Sequence, residues 1–211
     1  IKNKTFPNTE KYGSAFNLLD VNKVHFNLFK FLEDNKMYDK SYLMNPDGIL
    51  FLTPEHDKKY GRNYLNKTLQ SLINDKCNEE NMICKTYNDT FYNGDKVLRV
   101  HNNYTRDSTT GTRYNGDEAI IELQIKKEGE KKKESLVKVM YWNKNKNEYG
   151  NSAGYNEYEE SITLRELNDE FELGYARTIH KSQGGEATQV VLFGPLSEHG
   201  SWKRSNGVKL L

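Results

Sequence analysis

The stretch GYARTIHKSQGGEATQVVLFGP, residues 174–195, brings several polar side chains together just ahead of an apolar run. Thr178, His180 and Lys181 supply a hydroxyl, an imidazole and an ammonium group within one short segment. Hydrogen-bond donors of these kinds suit the oxygens of a phosphate. The stretch therefore indicates a place where a nucleic-acid backbone or the phosphates of a nucleotide are held.

Two glycines follow, Gly184 and Gly185. Because they lack side chains, the backbone there can approach a ligand closely and its amides can point at an anion. Glu186 adds an acceptor of the kind that binds a ribose hydroxyl. An ordinary strand-to-helix turn, with Lys181 and Ser182 facing water, explains the same composition equally well. The residue types alone leave both interpretations open.

The elements that would position this segment begin upstream, with a turn at residues 45–48 and a short apolar run at residues 49–54. Such a run predicts a strand covered on both faces, as in parallel sheets. After a polar loop, residues 62–75 predict an amphipathic helix. Its apolar stripe is expected at Leu65, Leu69, Leu72 and Ile73. Ligands of such sheets lie at the carboxyl ends of the strands, which draws attention to residues 53–62.

The residue pattern changes over residues 87–163. Short segments there are rich in β-branched residues or alternate between apolar and polar residues, and Asn-Gly, Gly-Asp and charged turns separate them. This pattern predicts a small antiparallel barrel. Residues 141–161 are interpreted as a long polar loop. An apolar run at residues 188–194 predicts that α/β structure returns afterwards, so we expect an α/β fold with an all-β insertion. The expected divisions are residues 1–86, 87–169 and 170–211.

Four further segments carry weaker signals. Residues 21–36 predict another amphipathic helix. The groups at residues 102–104 and 115–117 are favoured as turn and packing residues, with base stacking on Tyr104 as the alternative. The charged run at residues 126–134 is favoured as a solvated hairpin tip over a nucleic-acid patch.

Composition narrows the classes of function. A net charge of +1 over 211 residues argues against a highly basic DNA-coating protein, while it leaves room for a local phosphate site. Cys77 and Cys84 are too few for a disulfide framework and lack zinc-ligand spacing, so no metal site is expected from them. No apolar run approaches the roughly 18 residues of a membrane span, and no leader opens the chain, so we expect a cytoplasmic protein.

Three segments resemble, in order and spacing, the superfamily one DNA helicases of the RecD-like branch. Residues 174–192 are similar to helicase motif V, and residues 49–74 are similar to the family's strand, Thr-Pro loop and Leu-Gln helix. Residues 91–121 resemble the Gly-Asp-Lys-Val, Asn-x-Tyr and Asn-Gly-Asp signatures that open the family's inserted SH3-like barrel. The resemblance covers roughly residues 49–194.

This resemblance implies an α/β fold, namely the second RecA-like motor domain with an inserted SH3-like β-barrel. It further implies that the domain grips single-stranded DNA and closes on an N-terminal RecA-like domain around ATP and Mg²⁺. By the same resemblance Thr178 and His180 contact the DNA backbone, with Lys181 in support. The residues implied to face the nucleotide are Gly184, Glu186, Lys58 and Arg62.

Parts of the motor are not found in the sequence. The G-x-x-x-x-G-K-[ST] loop that cradles nucleotide phosphates does not occur, and neither does the family's arginine-finger pattern. We therefore expect a C-terminal fragment of an ATP-dependent DNA helicase that is inactive by itself, with 5′ to 3′ polarity implied by the resemblance. The alternative is a non-catalytic nucleic-acid or protein-binding module.

Overall fold

The computed structural model describes residues 16–20, 43–57, 61–104, 113–124, 135–143, 154–183 and 187–194. The helix predicted at residues 21–36 and the charged run at residues 126–134 lie outside these ranges. The chain divides into two compact units. The first unit comprises Ile1–Tyr64 with Ala176–Leu211, and the second comprises Leu65–Tyr175.

Strands dominate the described residues. In chain order the elements are β1 (Phe16–Asp20), β2 (Ile49–Thr53), α1 (Arg62–Ile73), β3 (Met82–Lys85), β4 (Thr90–Tyr92), β5 (Lys96–Arg99), β6 (Glu118–Gln124), β7 (Leu136–Asn143), β8 (Gly154–Thr163), α2 (Leu164–Glu170), β9 (Phe171–Leu173), β10 (Ala176–Thr178) and β11 (Gln189–Gly194). Short 3-10 turns lie at Glu79–Asn81 and His180–Ser182.

The first unit contains a four-stranded parallel sheet in the order β1-β11-β2-β10. The strands predicted at residues 49–54 and 188–194 are confirmed as β2 and β11, and they are direct neighbours. In β2 the buried positions alternate with half-buried ones. Since all four strands run the same way, their carboxyl ends lie at one edge of the sheet, which is the edge where the predicted polar segments begin.

Aromatic packing and backbone pairing hold this sheet together. Phe51 and Phe193 are almost fully buried, and their ring centroids are 6.1 Å apart. At the amino ends of the strands, the backbone N–H and the hydroxyl of Thr188 both donate to the carbonyl of Asp47 at 2.8 Å. The turn predicted at residues 45–48 is confirmed. This turn leads directly into β2 and so sets where the strand begins.

Helix α1 confirms the helix predicted at residues 62–75. The prediction that Leu72 belongs to its buried apolar stripe is wrong. Leu72 is 39% exposed. The buried stripe consists of Leu65, Leu69 and Ile73, with the polar Gln70 and Asn74 buried along its flank. The amides of Gln70 and Asn74 are buried because they donate hydrogen bonds to the buried carboxylate of Asp95. An apolar pattern in the sequence does not reveal such a contact.

The second unit contains a five-stranded antiparallel sheet in the order β8-β7-β6-β5-β9 and a two-stranded sheet of β3 and β4. The short β segments predicted at residues 94–104, 113–125 and 135–142 contain β5, β6 and all of β7 except Asn143, respectively. In β6 and β7 the buried apolar side chains lie on alternate positions, whereas all four positions of β5 are buried. The most buried apolar side chains of the unit include Val97, Leu98, Ala119, Ile121, Val137 and Val139.

The predicted fold class, an α/β RecA-like domain with an inserted SH3-like β-barrel, is wrong. The described residues form eleven strands and two α-helices, several of the sheets are antiparallel, and no described sheet closes into a barrel. The five-stranded sheet instead ends at β8 on one side and β9 on the other. Local patterns identified several of the strands, including β2, β6 and β7, whereas closure depends on pairings between distant segments, which those patterns do not encode.

The polar loop predicted at residues 141–161 is also corrected. Strand β7 continues to Asn143, and residues 154–161 belong to β8, which pairs with β7 in antiparallel fashion; residues 144–153 lie outside the described ranges. The polar β8 sequence is held by a distant cation, because Glu160 accepts a hydrogen bond from the fully buried Arg99 at 2.7 Å. The hydroxyl of Tyr141 donates to the same carboxylate at 2.7 Å.

Candidate functional site

The carboxyl edge of the parallel sheet brings together two of the sequence-predicted polar segments. Strands β2 and β10 pair in parallel with Thr53 opposite Thr178. The backbone N–H of Ile179 extends this pairing by donating to the carbonyl of Thr53 at 3.1 Å. The loop after β2 and the turn after β10 therefore leave the sheet at neighbouring strand ends, the usual position of ligands in parallel sheets. We call residues 53–57 and 178–183 together the carboxyl edge.

The turn after β10 is fixed by its own hydroxyl groups. Thr178 is half-buried, and its Oγ1 accepts a hydrogen bond of 3.4 Å from the backbone N–H of Lys181. The hydroxyl of Ser182 donates to the carbonyl of Ile179 at 2.9 Å. These bonds accompany the 3-10 turn His180–Ser182, in which His180 and Lys181 are exposed. Both predicted DNA-contacting side chains of this turn are thus open to solvent.

The loop after β2 is more acidic. Thr53 is fully buried, and its Oγ1 accepts a hydrogen bond of 3.3 Å from the backbone N–H of Glu55. His56 and Asp57 are exposed, with 3.7 Å between Nδ1 and Oδ1. The Oδ1 atom of Asp57 also accepts a hydrogen bond of 2.6 Å from Asn63. Because this loop carries carboxylates, an anionic ligand at the edge is better placed against the turn after β10.

Of the four residues implied to face a nucleotide, Arg62 is the one that the structure describes. It is buried at the start of α1, where its backbone N–H donates to the carbonyl of Glu55 at 2.9 Å. Its Nε and Nη2 donate to Oδ1 of Asn63 at 3.2 and 2.9 Å. The other three, Lys58, Gly184 and Glu186, lie outside the described residues.

Sequence reasoning missed a buried cation in β10. Arg177 directly precedes Thr178 and is 8% exposed, and burial lowers the pKa of its guanidinium to about 10. The group remains charged at neutral pH, and it adds positive potential to the strand that leads into the turn. The sequence signal that could have revealed it is an arginine directly after Tyr175 and Ala176 in a segment with the pattern of a strand.

The resemblance also implies ATP with Mg²⁺. Within the described ranges, no group of three His, Cys, Asp or Glu side chains is arranged to hold a metal ion. Carboxylates and hydroxyls are the ligands that Mg²⁺ prefers. The described part of the carboxyl edge supplies Glu55 and Asp57 as carboxylates.

A second polar cluster lies in the second unit, around the fully buried carboxylate of Asp95. Its oxygens accept hydrogen bonds from Gln70 at 2.6 Å, Asn74 at 2.7 Å, the backbone N–H of Tyr92 at 2.7 Å and the hydroxyl of Tyr175 at 2.9 Å. Four donors, from α1, the residue after it, the end of β4 and the residue before β10, therefore converge on one acid. We call these five residues the Asp95 cluster.

Desolvation is the main electrostatic influence on the Asp95 cluster. Burial raises the pKa of Asp95 above its ordinary value, although the four donors act in the opposite direction. The pKa of Tyr175 is raised as well, first by burial and then by the charge of Asp95. Tyr175 directly precedes β10, so this cluster anchors the chain just before the strand that carries Thr178.

Close backbone packing supports the same anchor. The backbone N–H of Gly174 donates to the carbonyl of Lys96 at 2.9 Å. A Cβ atom at Gly174 would lie 2.8 Å from the backbone carbon of Val97, which is closer than real Cβ contacts. A side chain at this position would therefore push the segment away from β5, so glycine is required for the approach.

Residues 102 and 115–117 take part in turn hydrogen bonds, which is the role that the sequence favours for them. Gly116 has a φ of +101°, and its backbone N–H donates to the carbonyl of Arg99 at 2.9 Å. Oδ1 of Asn102 accepts a hydrogen bond of 2.7 Å from the backbone N–H of Asn115. Tyr104 does not pack into a core, however, because it is 69% exposed.

No protein-family model matches the chain, and a search of curated proteins finds no match either. Among the residues that the structure describes, no helix is both long and apolar enough to cross a membrane. Similarity to the RecD-like helicases thus remains an interpretation of the three motif-bearing segments.

Proposed function

We propose that the chain binds the sugar-phosphate backbone of single-stranded DNA at the carboxyl edge, as part of an ATP-dependent DNA helicase. One observation carries the proposal. The parallel register sets Thr178 opposite Thr53 at the end of neighbouring strands and leaves His180 and Lys181 exposed on the turn that follows. A hydroxyl, an imidazole and an ammonium group are thereby grouped at the edge where parallel sheets usually bind ligands.

The chemistry of this turn suits phosphate better than a base. Lys181 donates hydrogen bonds as a compact positive charge, and the His180 ring and Thr178 hydroxyl are short-range donors. Contacts to phosphates position a strand without reading its sequence. We therefore infer binding that is insensitive to base composition and strongly dependent on salt.

The motor part of the proposal rests on the motif resemblance. In it, Gly184 and Glu186 face the nucleotide, Lys58 and Arg62 lie near its phosphates, and Mg²⁺ and an N-terminal RecA-like domain of the same protein complete the ATP site. When bound, ATP and Mg²⁺ would draw this domain and the N-terminal domain together through electrostatic contacts with the phosphates. The proposed binding of the DNA backbone by this chain is the same with or without the motor part.

A non-catalytic nucleic-acid or protein-binding module is the second candidate. The corrected fold class favours it, because a largely β chain with an extensive antiparallel sheet differs from the motor domain implied by the motifs. In the module the all-β part of the chain is the binding surface and the parallel sheet is a scaffold, and the two candidates also differ in ATP hydrolysis. DNA-stimulated ATP turnover by the full-length protein that carries this chain separates them, since a module shows none.

Binding of a labelled fifteen-nucleotide oligo-dT, followed by fluorescence anisotropy over a salt series, tests the DNA grip. We expect Thr178→Ala, His180→Ala and Lys181→Ala to weaken binding, and Lys181→Ala, which removes a positive charge, to lower the slope of log K against log salt by about 0.7. Lys85→Ala is the matched control, because Lys85 is an exposed lysine on β3 of the second unit. Equal affinities and slopes for all four variants would contradict the proposal.

A further inference from the structure

A small antiparallel ladder in the second unit sorts its side chains onto two faces. Asn103 and Arg113 exchange two backbone hydrogen bonds, of 2.8 and 3.0 Å. Directly opposed residues of such a pair share a face, and successive residues alternate between faces. Arg113 and Asn103 therefore point one way, while Asn102, Tyr104 and Tyr114 point the other way.

The inward face of the ladder is defined by stacking. The guanidinium of Arg113 lies 4.1 Å from the ring centroid of Tyr141, which is itself buried. A cation over a buried aromatic ring fixes the side on which the ladder contacts its own unit. The opposite face, formed by Asn102, Tyr104 and Tyr114, is exposed to solvent, and we call it the tyrosine face.

Two tyrosine rings are presented on this face. Tyr104 is 69% exposed and Tyr114 is 55% exposed, and Asn102 between them is exposed too. The amide of Asn102 donates to the hydroxyl of Tyr104 at 2.6 Å, and its oxygen accepts from the backbone N–H of Asn115 at 2.7 Å. One asparagine side chain thus ties a tyrosine tip to the neighbouring turn.

The backbone beneath Tyr114 is fixed as well. Its N–H donates to the carboxylate of Asp117 at 2.8 Å, and its carbonyl accepts from the N–H of Asp117 at 3.1 Å. The turn closes through Gly116, whose positive φ suits glycine. Rings held on a fixed backbone lose little conformational entropy when a ligand stacks on them.

The composition of the face indicates its ligand. Residues 101–104 and 113–116 include no aspartate or glutamate, and Arg113 lies on the opposite, inward face. The neighbouring carboxylate of Asp117 is already hydrogen-bonded to the turn. Exposed aromatic rings beside an amide, with no carboxylate among these residues, suit the flat bases of a single strand.

We propose that the tyrosine face stacks bases of single-stranded DNA on Tyr104 and Tyr114. The inference rests on the proposed function, because it takes single-stranded DNA as the ligand. It assigns a second binding surface, which contacts the bases of the strand, whereas the carboxyl edge contacts the phosphates. Base stacking on an aromatic side chain is tolerant of sequence and independent of charge. Loss of a ring is therefore expected to lower affinity without changing the salt slope.

The test uses the intact chain with two labelled fifteen-nucleotide probes, oligo-dT and an abasic strand with the same phosphates. We expect Tyr104→Ala and Tyr114→Ala each to weaken oligo-dT binding about tenfold, within the range known for base stacking, and to leave abasic binding and the salt slope unchanged. Tyr104→Phe keeps the ring and should bind as the wild type does. Tyr87→Ala is the matched control, because Tyr87 is a fully exposed tyrosine on another turn of the same unit.

The outcomes separate the two proposals. If Tyr104→Ala and Tyr114→Ala bind oligo-dT like the wild type while the carboxyl-edge variants bind weakly, the stacking proposal is overturned and the phosphate grip stands. An equal loss in Tyr87→Ala, or an equal loss on the abasic probe, also overturns stacking at this face. Loss in the tyrosine variants with unchanged carboxyl-edge variants supports the tyrosine face and overturns the phosphate grip.

Discussion

The carboxyl edge and the Asp95 cluster show two opposite uses of polar side chains. At the carboxyl edge, His180 and Lys181 are exposed on a turn stabilised by contacts within a few residues. In the Asp95 cluster, a fully buried carboxylate receives four donors, two of them 25 residues or more away in sequence. The first arrangement leaves donors available to a ligand, whereas the second uses every donor to hold the fold.

This difference predicts how strongly substitutions in each region change the stability of the folded state. A buried acceptor that serves four donors cannot be removed without leaving those donors unsatisfied. An exposed donor can be removed at little cost to the folded state, because water replaces it. The two regions should therefore separate cleanly in experiments that measure stability and binding side by side.

The largest expected effect is that of Asp95→Ala. The substitution leaves Gln70, Asn74 and the Tyr175 hydroxyl without their buried acceptor, so we expect the free energy of unfolding to fall by about 3–5 kcal/mol. Urea denaturation followed by circular dichroism measures the change. Asp169→Ala is the control, because Asp169 is an exposed partner of Arg165, and it should change stability by less than about 0.5 kcal/mol.

Equal denaturation midpoints for Asp95→Ala and Asp169→Ala would show that the Asp95 cluster does not hold the fold. The Asp95 cluster and the carboxyl edge would then not differ in their importance for the stability of the fold.

Arg99→Met is expected to have the next largest effect. Arg99 is fully buried, donates to the Tyr141 hydroxyl at 2.9 Å and forms ion pairs with Glu160 and Glu170. Methionine fills part of the volume but leaves two partly exposed carboxylates without their cation. We expect a loss of about 2–3 kcal/mol in the free energy of unfolding. Arg165→Met, at an exposed arginine, is the control, and a similar loss there would contradict the prediction.

The sequence predicts the strands better than it predicts their arrangement. An apolar run after an Asn-Pro-Asp-Gly turn is sufficient for β2, because burial and turn chemistry are both local. Strand β8 was missed since its polar residues depend on Arg99, which lies 61 residues from Glu160. The absence of a closed barrel among the described strands follows from pairings such as β5 with β9, which no local pattern specifies.

The candidate site divides in the same way. The exposed turn of His180 and Lys181 follows from a short polar segment next to a strand, so residue types were enough to find it. The Asp95 cluster and the buried Arg177 were not found, because an acid in a turn or an arginine in a short strand looks like a solvated residue until its burial is known. Polar residues flanked by buried neighbours are the signal that could identify such positions.

The pH dependence of stability provides a finer test of the Asp95 cluster. Burial holds the pKa of Asp95 above its ordinary value, so the folded state retains a proton that the unfolded state has already released. The stability contributed by this proton is fully present below about pH 4 and is lost as pH rises through the raised pKa. Tyr175 and Cys77, whose pKa values are raised too, titrate well above this window.

Asp95→Asn removes this titration while it keeps the shape of the side chain. Urea denaturation from pH 4 to pH 7 should show that the wild-type free energy of unfolding falls with pH relative to that of Asp95→Asn. Parallel profiles for the two proteins, or a wild-type advantage that grows with pH, would show that hydrogen bonding outweighs desolvation at Asp95.

The smallest effect on stability is expected at the carboxyl edge itself. His180→Ala and Lys181→Ala should change the free energy of unfolding by less than about 0.5 kcal/mol, because both side chains are exposed. Thr178→Ala should cost somewhat more, about 0.5–1.5 kcal/mol, since its Oγ1 accepts the backbone N–H of Lys181. Thermal and urea unfolding of the variants used for DNA binding provide these values directly. If His180→Ala or Lys181→Ala destabilised the chain as strongly as Asp95→Ala, any loss of DNA affinity in those variants would reflect unfolding, and the carboxyl edge would have to be regarded as structural.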